Sequence, residues 1–386
     1  MINITGYRRL DGTVGIRNHI LVIPASVCAS VTAQKIASHI HGAVSIANQH
    51  GCCQVGQDLT QVINTLIGLG KNPNVAAVLV IGLGCEGVPA KKVANEIAKT
   101  GKPVDCLVIQ ENGGTIKTEA KGIEILKKMS QDVNKIHREP IDIKDIILSI
   151  ECGGSDTTSG LASNPAVGYA SDKIVSFGAT SIFSETTEFI GAEHILARRA
   201  VTKDVGDKIM KIVNNCETKA MTMGVDMRGG QPTPGNIQGG ISTIEEKSLG
   251  CIYKGGTAPI QGVLDYSETP KGKGLYIMDT PGQDIESMTG MTAGGSQIVV
   301  FTTGRGTPTG TPIAPVIKVT GNPETYNNMP INIDINAGTI IEGTKTIKDV
   351  GEEIFNEIIE VINGKMPAAE ALNHNEFGIY KLISTF

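Results

Sequence analysis

Short apolar runs, each opening into a glycine-bearing loop and then a helical pattern, recur through the first third of the chain. They read as strands at His19–Pro24, Ala43–Ala47, Val75–Gly82 and Val104–Ile109, with helices near Ala29–His41, Gln57–Leu69, Val88–Lys99 and Ile116–Asn134. Strand, loop and helix at this spacing mean βαβ units and a mostly parallel, doubly wound sheet. Right-handed crossovers bring the strand-to-helix loops to one edge, where open α/β sheets take their ligands. The loops gathered there are Pro24-Ala-Ser-Val-Cys28, His50-Gly-Cys-Cys53, Gly82-Leu-Gly-Cys-Glu86 and Gln110-Glu-Asn-Gly-Gly114.

The charged stretch Lys135–Lys144, interrupted by Pro140, marks a boundary, giving one α/β domain over 1–138 and a second over 139–386. The second region starts with a strand at Ile146–Ile150, the loop Glu151-Cys-Gly-Gly-Ser-Asp156 and a helix at about Pro165–Phe177. The strand Thr180–Phe183 and the loop Ser184-Glu-Thr-Thr-Glu188 come next, then helices near Ala192–Ala200 and Lys203–Met223. Residues 224–312 are rich in Gly, Pro and Thr, but the apolar pieces Leu275–Met278 and Gln297–Phe301 make them structured loops between buried strands rather than a linker. Thr346–Asn363 has helical periodicity.

A formal net charge of −5 with mixed signs throughout leaves no basic stripe for nucleic acid. No apolar run approaches the roughly 20 residues of a membrane span. Met1–Arg9 is polar and lacks the apolar segment of a signal peptide. Eight cysteines scattered through a chain this long suggest a reducing, cytoplasmic setting rather than a disulfide framework. An α/β chain of this size is expected to form a homo-oligomer.

The loop beginning at Gly82 follows a strand and precedes a helix, a ready anion site. Its glycines do not keep the G-x-G-x-x-G spacing, and Cys85 and Glu86 would crowd a pyrophosphate, so a metal or base role suits Glu86 better than dinucleotide binding. His50 opens the equivalent loop of the preceding unit beside two thiols and is a candidate ligand, as are Cys85 and Cys152. Three distant cysteines, Cys28, Cys85 and Cys152, could instead hold an iron–sulfur cluster with one open iron. The acid-rich segment from Ser184 to His194 offers Glu185, Glu188, Glu193 and His194 as base or ligand, although Glu188 and Glu193 also suit a cap or a helix's first turn. Lys247 and Arg305 are candidate binders of a carboxylate or hydroxyl, Arg305 through its bidentate fork; Ser155 and Asp156 complete the candidate substrate contacts.

Taken in order, Gly6-Tyr-Arg-Arg-Leu-Asp-Gly-Thr-Val-Gly-Ile-Arg-Asn18, His50-Gly-Cys-Cys53, Gly82-Leu-Gly-Cys-Glu86, Cys152-Gly-Gly-Ser-Asp156, Ser184-Glu-Thr through Gly191-Ala-Glu-His194, Glu246-Lys-Ser-Leu-Gly250, Met278-Asp-Thr-Pro-Gly282 and Phe301-Thr-Thr-Gly-Arg-Gly306 resemble the large catalytic region of altronate and galactarate dehydratases. The resemblance runs over nearly the whole chain. It implies a lyase dehydrating a sugar acid to a 2-keto-3-deoxy acid with a divalent metal, Fe²⁺ being usual and Mn²⁺ possible. The same region is similar to the large subunit of sulfolactate sulfo-lyase, which expels sulfite and leaves pyruvate. A third reading is a non-catalytic subunit that only binds a sugar acid. Fused relatives carry a further N-terminal module of about 100 residues, so a separate small subunit is an expected partner beside the small hydroxy-acid substrate. On positions that match the family, Glu185, His194 and Lys247 are placed as catalytic groups, Arg305, Ser155 and Asp156 on the substrate, and His50, Glu86, Cys85 and Cys152 on the metal.

Overall fold

A computed structural model describes residues 2–385. In the first domain, four parallel strands lie in the order Ala43–Ser45, His19–Pro24, Val75–Gly82, Val104–Val108. The winding direction reverses between His19–Pro24 and Val75–Gly82, which opens a crevice at their carboxyl ends. Helices Val27–Ser38, Gly56–Lys71, Ala90–Ala98 and Thr115–Val133 cover both faces. Val75–Gly82 is therefore buried along its whole length, as a parallel strand between two helical layers must be. Val78 and Val80 enter one core while Ala77, Leu79 and Ile81 enter the other, following the two-residue alternation of a strand. The second strand is shorter than the sequence suggested, ending at Ser45, and the third helix starts at Ala90, with Pro89 as its N-cap, rather than at Val88.

The second domain is built on seven parallel strands in the order Ile260–Leu264, Gly274–Met278, Thr180–Phe183, Ile147–Cys152, Ile298–Thr303, Val316–Thr320, Ile335–Asn336. From the central Ile147–Cys152 the chain first winds to one side, and Ile298–Thr303 later takes up the other. The carboxyl end of Ile147–Cys152 thus sits at a topological switch point. The glycine- and threonine-rich 224–312 is structured, as expected, and holds three α-helices that periodicity had not shown, Pro234–Gln238, Ile244–Cys251 and Asp284–Ala293. Propensity is weak there, and burial decides: every residue from Ser287 to Ala293 is buried, and a Cβ on Gly290 would lie 2.6 Å from the Tyr266 ring.

Polar bonds weld the two domains. Asn72 Nδ2 donates to the carbonyls of Thr292 and Ser296, both at 2.8 Å, and Asn74 Nδ2 donates to those of Gln297 (2.8 Å) and Ile313 (2.9 Å). Thr5–Arg8 pairs antiparallel with Val14–Gly15 and with Glu139–Pro140, tying the N-terminal segment to the inter-domain stretch. Among the described residues no helix is long and apolar enough to cross a membrane.

Candidate active site

The first-domain rim carries the expected residues at the expected edge. His50 Nε2 lies 3.1 Å from the Ile379 carbonyl, so the imidazole anchors the C-terminal segment. Glu86 turns back on its own loop and accepts from the Gly84 N–H at 2.6 Å. Cys85 is exposed, with Gln110 Nε2 at 3.8 Å from its sulfur, and Cys28 is exposed too. Among the described residues, no three metal-ligating atoms from this rim lie within 4.8 Å of one another. The structure therefore does not bring His50, Glu86 and Cys85 together with Cys152, which is buried in the second domain.

The dense chemistry lies at the carboxyl edge of the second sheet. Strand Ile147–Cys152 delivers Glu151 and Cys152 to neighbouring, opposite-facing positions, and both are buried. Thr180–Phe183 ends in Ser184 and Glu185. Glu185 sits in the left-handed region (φ 76), uncommon for any residue with a Cβ, held by its N–H donating to Thr280 Oγ1 at 2.9 Å. That turn aims its carboxylate inward: Oε2 accepts from the Cys152 N–H at 3.1 Å and from Lys254 Nζ. One helical turn on, Glu188 meets Lys247 Nζ at 3.0 Å and Lys254 Nζ at 3.7 Å, and accepts from the Cys251 thiol at 2.5 Å. Lys247 and Cys251 share a face of helix Ile244–Cys251 because they are four apart. Lys254, in the following 3₁₀ turn, is completely buried.

Glu151 Oε2 accepts from Ser287 Oγ at 2.8 Å, in a hydroxyl network with Ser184 and Thr280. Asp284 stands at the start of helix Asp284–Ala293, against the backbone of Gly153. A Cβ on Gly153 would lie 2.2 Å from Asp284 Oδ2, so only glycine leaves that carboxylate its place. Gly153→Ala should cost about 1–3 kcal/mol by overpacking. A urea titration showing an unchanged midpoint would mean that Asp284 moves aside freely.

Four carboxylates (Glu151, Glu185, Glu188 and Asp284) face two ammoniums (Lys247 and Lys254), leaving an excess of negative charge if all are ionised. Burial, against the pull of Lys254, pushes Glu151 up to about 8. Glu185 is raised well above the usual range by burial and by Glu151 and Glu188. Burial and Glu188 push Asp284 up to about 6. Glu188 goes the other way: burial opposes ionisation, but Lys247 and Lys254 outweigh it and hold the carboxylate below its ordinary value. Lys247 is raised in return, burial being outweighed by Glu188. Cys152 is lowered to about 6, chiefly by sharing the one Cys251 thiol hydrogen with Glu188.

The carboxylate oxygens of Glu151, Glu185 and Asp284 lie within 4.8 Å of one another, as do the ligand atoms of Cys152, Glu188 and Cys251. The two groups differ in what they lack. Glu188 already has two lysines and a thiol, and Cys152 has Ser155 Oγ at 3.1 Å and Asn164 Nδ2 at 3.6 Å. Glu151 Oε1 and Glu185 Oε1, by contrast, are buried without a hydrogen-bond partner among the described residues. Orphaned carboxylate oxygens facing one another are costly unless a proton or a cation lies between them, so the carboxylate trio fits a hard divalent ion.

A cavity of about 250 Å³ opens beside this cluster, and its wall includes Ser155, Asp156, Asn164, Lys247 and Cys251. Of the residues placed from sequence, Glu185, Lys247, Ser155 and Cys152 thus meet in one site. Asp156 also reaches the cavity, but its oxygens are taken: Oδ1 accepts from Thr158 Oγ1 at 2.5 Å and the Ser159 N–H at 3.1 Å, and Oδ2 from Asn322 Nδ2 at 3.0 Å. Arg305 is exposed and donates to Gln238 Oε1 at 3.0 Å. His194 is exposed on the short helix Glu193–Ala197. As site members, Glu151, Cys251, Lys254 and Asp284 went unread in the sequence, where Glu188 reads as a base or ligand candidate that also suits a helix start. Lys247, Cys251 and Lys254 follow the i, i+4, i+7 spacing of one helix face, a signal that was there to find.

Buried, mutually perturbed ionisable groups beside a small cavity, at the ligand-binding edge of a parallel sheet, are the mark of an enzyme's active site. The chain belongs to the D-galactarate/altronate dehydratase family, whose named dehydratases are hydro-lyases: residues 143–385 match the C-terminal domain of D-galactarate/altronate dehydratase, and residues 6–134 the second domain of D-galactarate dehydratase/altronate hydrolase. It is 39% identical over 381 residues to the (2R)-sulfolactate sulfo-lyase subunit beta of Chromohalobacter salexigens, covering 98% of this chain and 97% of the relative. It is 34% identical to the altronate dehydratase of Bacillus subtilis, covering 97% of this chain and 77% of the relative. To the L-threo-forming galactarate dehydratase of Escherichia coli it is 36% identical, over 84% of this chain and 62% of the relative.

Proposed function

We propose that the chain catalyses elimination of a β-substituent from a small 2-hydroxycarboxylate, and that its substrate is a sugar acid dehydrated to a 2-keto-3-deoxy acid. The observation that carries this reading is Lys247, which lines the cavity while its ammonium is locked against the buried Glu188. Elimination next to a carboxylate builds charge on the substrate carboxylate as the α-proton leaves, and a fixed, permanently protonated lysine stabilises that charge. Glu188, held ionised by two lysines, fixes Lys247 beside the cavity-lining Cys251. Lys254 keeps Glu185 and Glu188 in place from behind. Glu151, Glu185 and Asp284 would hold a divalent cation; their donor type suits Mn²⁺, and Fe²⁺ is the ion that the family resemblance implies. Such an ion supplies Lewis-acid polarisation of a bound oxygen. His194 and Arg305, and the rim residues His50, Glu86 and Cys85, keep their expected roles only if a bound partner or substrate draws them in.

A second reading is favoured by coverage: the relative matched over nearly its whole length is a sulfo-lyase subunit. There the leaving group is sulfite and the same proton abstraction applies. That relative's designation as subunit beta also supports a separate small partner for this chain. A substrate screen separates the readings. The anaerobically purified protein, supplied with Fe²⁺ or Mn²⁺, is given altronate, galactarate and (2R)-sulfolactate, and 2-keto acid and sulfite are detected separately. Keto acid from a sugar acid without sulfite is the expected result; sulfite with pyruvate moves the chain to the second reading. Tight binding of all three without turnover, with a small partner subunit present, would defeat both.

A further inference from the structure

We propose that Cys52 and Cys53 form a chelating site for one thiophilic divalent cation of the zinc class, on the rim of the first sheet and separate from the buried carboxylate cluster. Neighbouring residues in extended chain send their side chains to opposite sides. Here Cys53 is left-handed (φ 56) and follows Gly51 (φ 103), and the two sulfurs stand 3.7 Å apart on exposed side chains. Two thiolates on one tetrahedral ion, each at about 2.3 Å, are separated by about 3.8 Å, so the pair already has the required bite. A disulfide usually spans Cα atoms roughly 4.4–6.8 Å apart, whereas consecutive residues across a trans peptide stand about 3.8 Å apart, so closing this pair would strain the turn.

The bite is held from outside the pair. The Gly51 carbonyl accepts from the Gly87 N–H at 2.8 Å and the Val88 N–H at 3.2 Å, the Gly51 N–H donates to Gln54 Oε1 at 2.8 Å, and the His50 carbonyl accepts from the Val27 N–H at 2.9 Å. Three loops at the switch point of the sheet are thereby laced under the two thiols. Thiols bind a cation as thiolates, so loading releases protons and affinity rises with pH. Solvent completes the coordination shell. The thiols select a soft or borderline ion, whereas the buried carboxylate trio selects a hard one.

Cadmium is the probe. The reduced full chain is titrated anaerobically with Cd²⁺, following thiolate-to-cadmium charge-transfer absorbance, beside the Cys52→Ser/Cys53→Ser double variant. The wild-type protein should take up one more equivalent, and added Zn²⁺ should reverse that part of the band. Either single variant should bind at least tenfold more weakly at the rim. Because both side chains are exposed, the variants should keep the metal-free melting temperature, so lost binding is not lost folding. Equal stoichiometry and absorbance for wild type and double variant would overturn the proposal. So would disappearance of the band in Cys152→Ser alone, which would place the ion at the buried thiols. Neither result depends on which acid the enzyme turns over.

Discussion

Replacing Lys254 with methionine should destabilise the protein by about 3–5 kcal/mol, as expected when one partner of a buried ion pair is removed. Methionine keeps most of the aliphatic stem, so lost packing contributes little. What disappears is the only fully buried cation between Glu185 and Glu188 among the described residues. The deficit should depend on pH in a definite sense. Glu185 is already raised well above its unfolded value, and without Lys254 it rises further. A carboxylate whose folded value is raised binds its proton more tightly in the native state, so stability falls as pH rises from the unfolded value towards the folded one. The gap between variant and wild type should therefore be smaller near pH 5 than near pH 8. Urea midpoints at the two pH values measure it. Adding Glu185→Gln to the methionine variant should recover part of the loss, since it removes one stranded charge. A midpoint shift worth less than about 1 kcal/mol, equal at both pH values, would mean that water reaches this cluster.

How far the sequence discloses this site follows from what periodicity can register. Strands that are apolar throughout and bounded by glycine, such as Val75–Gly82 and Ile298–Thr303, stand out, and with them the edge where ligands bind. Glu185 and Cys152 are legible because each follows such a strand directly. Lys254 is not, because a lysine between tyrosine and glycine looks like a surface charge until tertiary packing buries it. Asp284 likewise resembles an ordinary helix-start acid, and only the Cβ-free wall at Gly153 gives it a site role. Helix Asp284–Ala293 itself was hidden because its glycine and threonines are poor helix formers that burial overrules. On the first-domain rim the motif was legible but the geometry was not: Glu86 and His50 lie at the correct edge, yet their polar atoms are engaged by Gly84 and Ile379. Spacing along the chain locates a loop, while only the folded backbone says which way its side chains turn.

Lys247→Ala should lower kcat/KM about 10²–10³-fold on whichever hydroxy acid supports turnover, the usual scale for deleting one fixed donor to developing charge. The kinetic pattern distinguishes roles. If the ammonium acts on the charge that appears as the α-proton leaves, kcat falls with kcat/KM and KM changes little; if it only grips the ground-state carboxylate, KM rises while kcat holds. The first pattern is expected, because Lys247 is anchored by Glu188 at 3.0 Å and by Gln231 Oε1 at 2.9 Å and cannot follow the substrate as a mobile side chain would. Lys247→Arg should restore part of the rate, since a guanidinium keeps the charge but spreads it over a wider fork than the ammonium. Stability must be read in parallel, because losing Lys247 also removes one of the two cations that hold Glu188 ionised, although Lys254 remains at 3.7 Å. An alanine variant that is folded and within threefold of wild-type kcat/KM would move the chemistry away from this cavity and leave the buried cluster with a structural role alone.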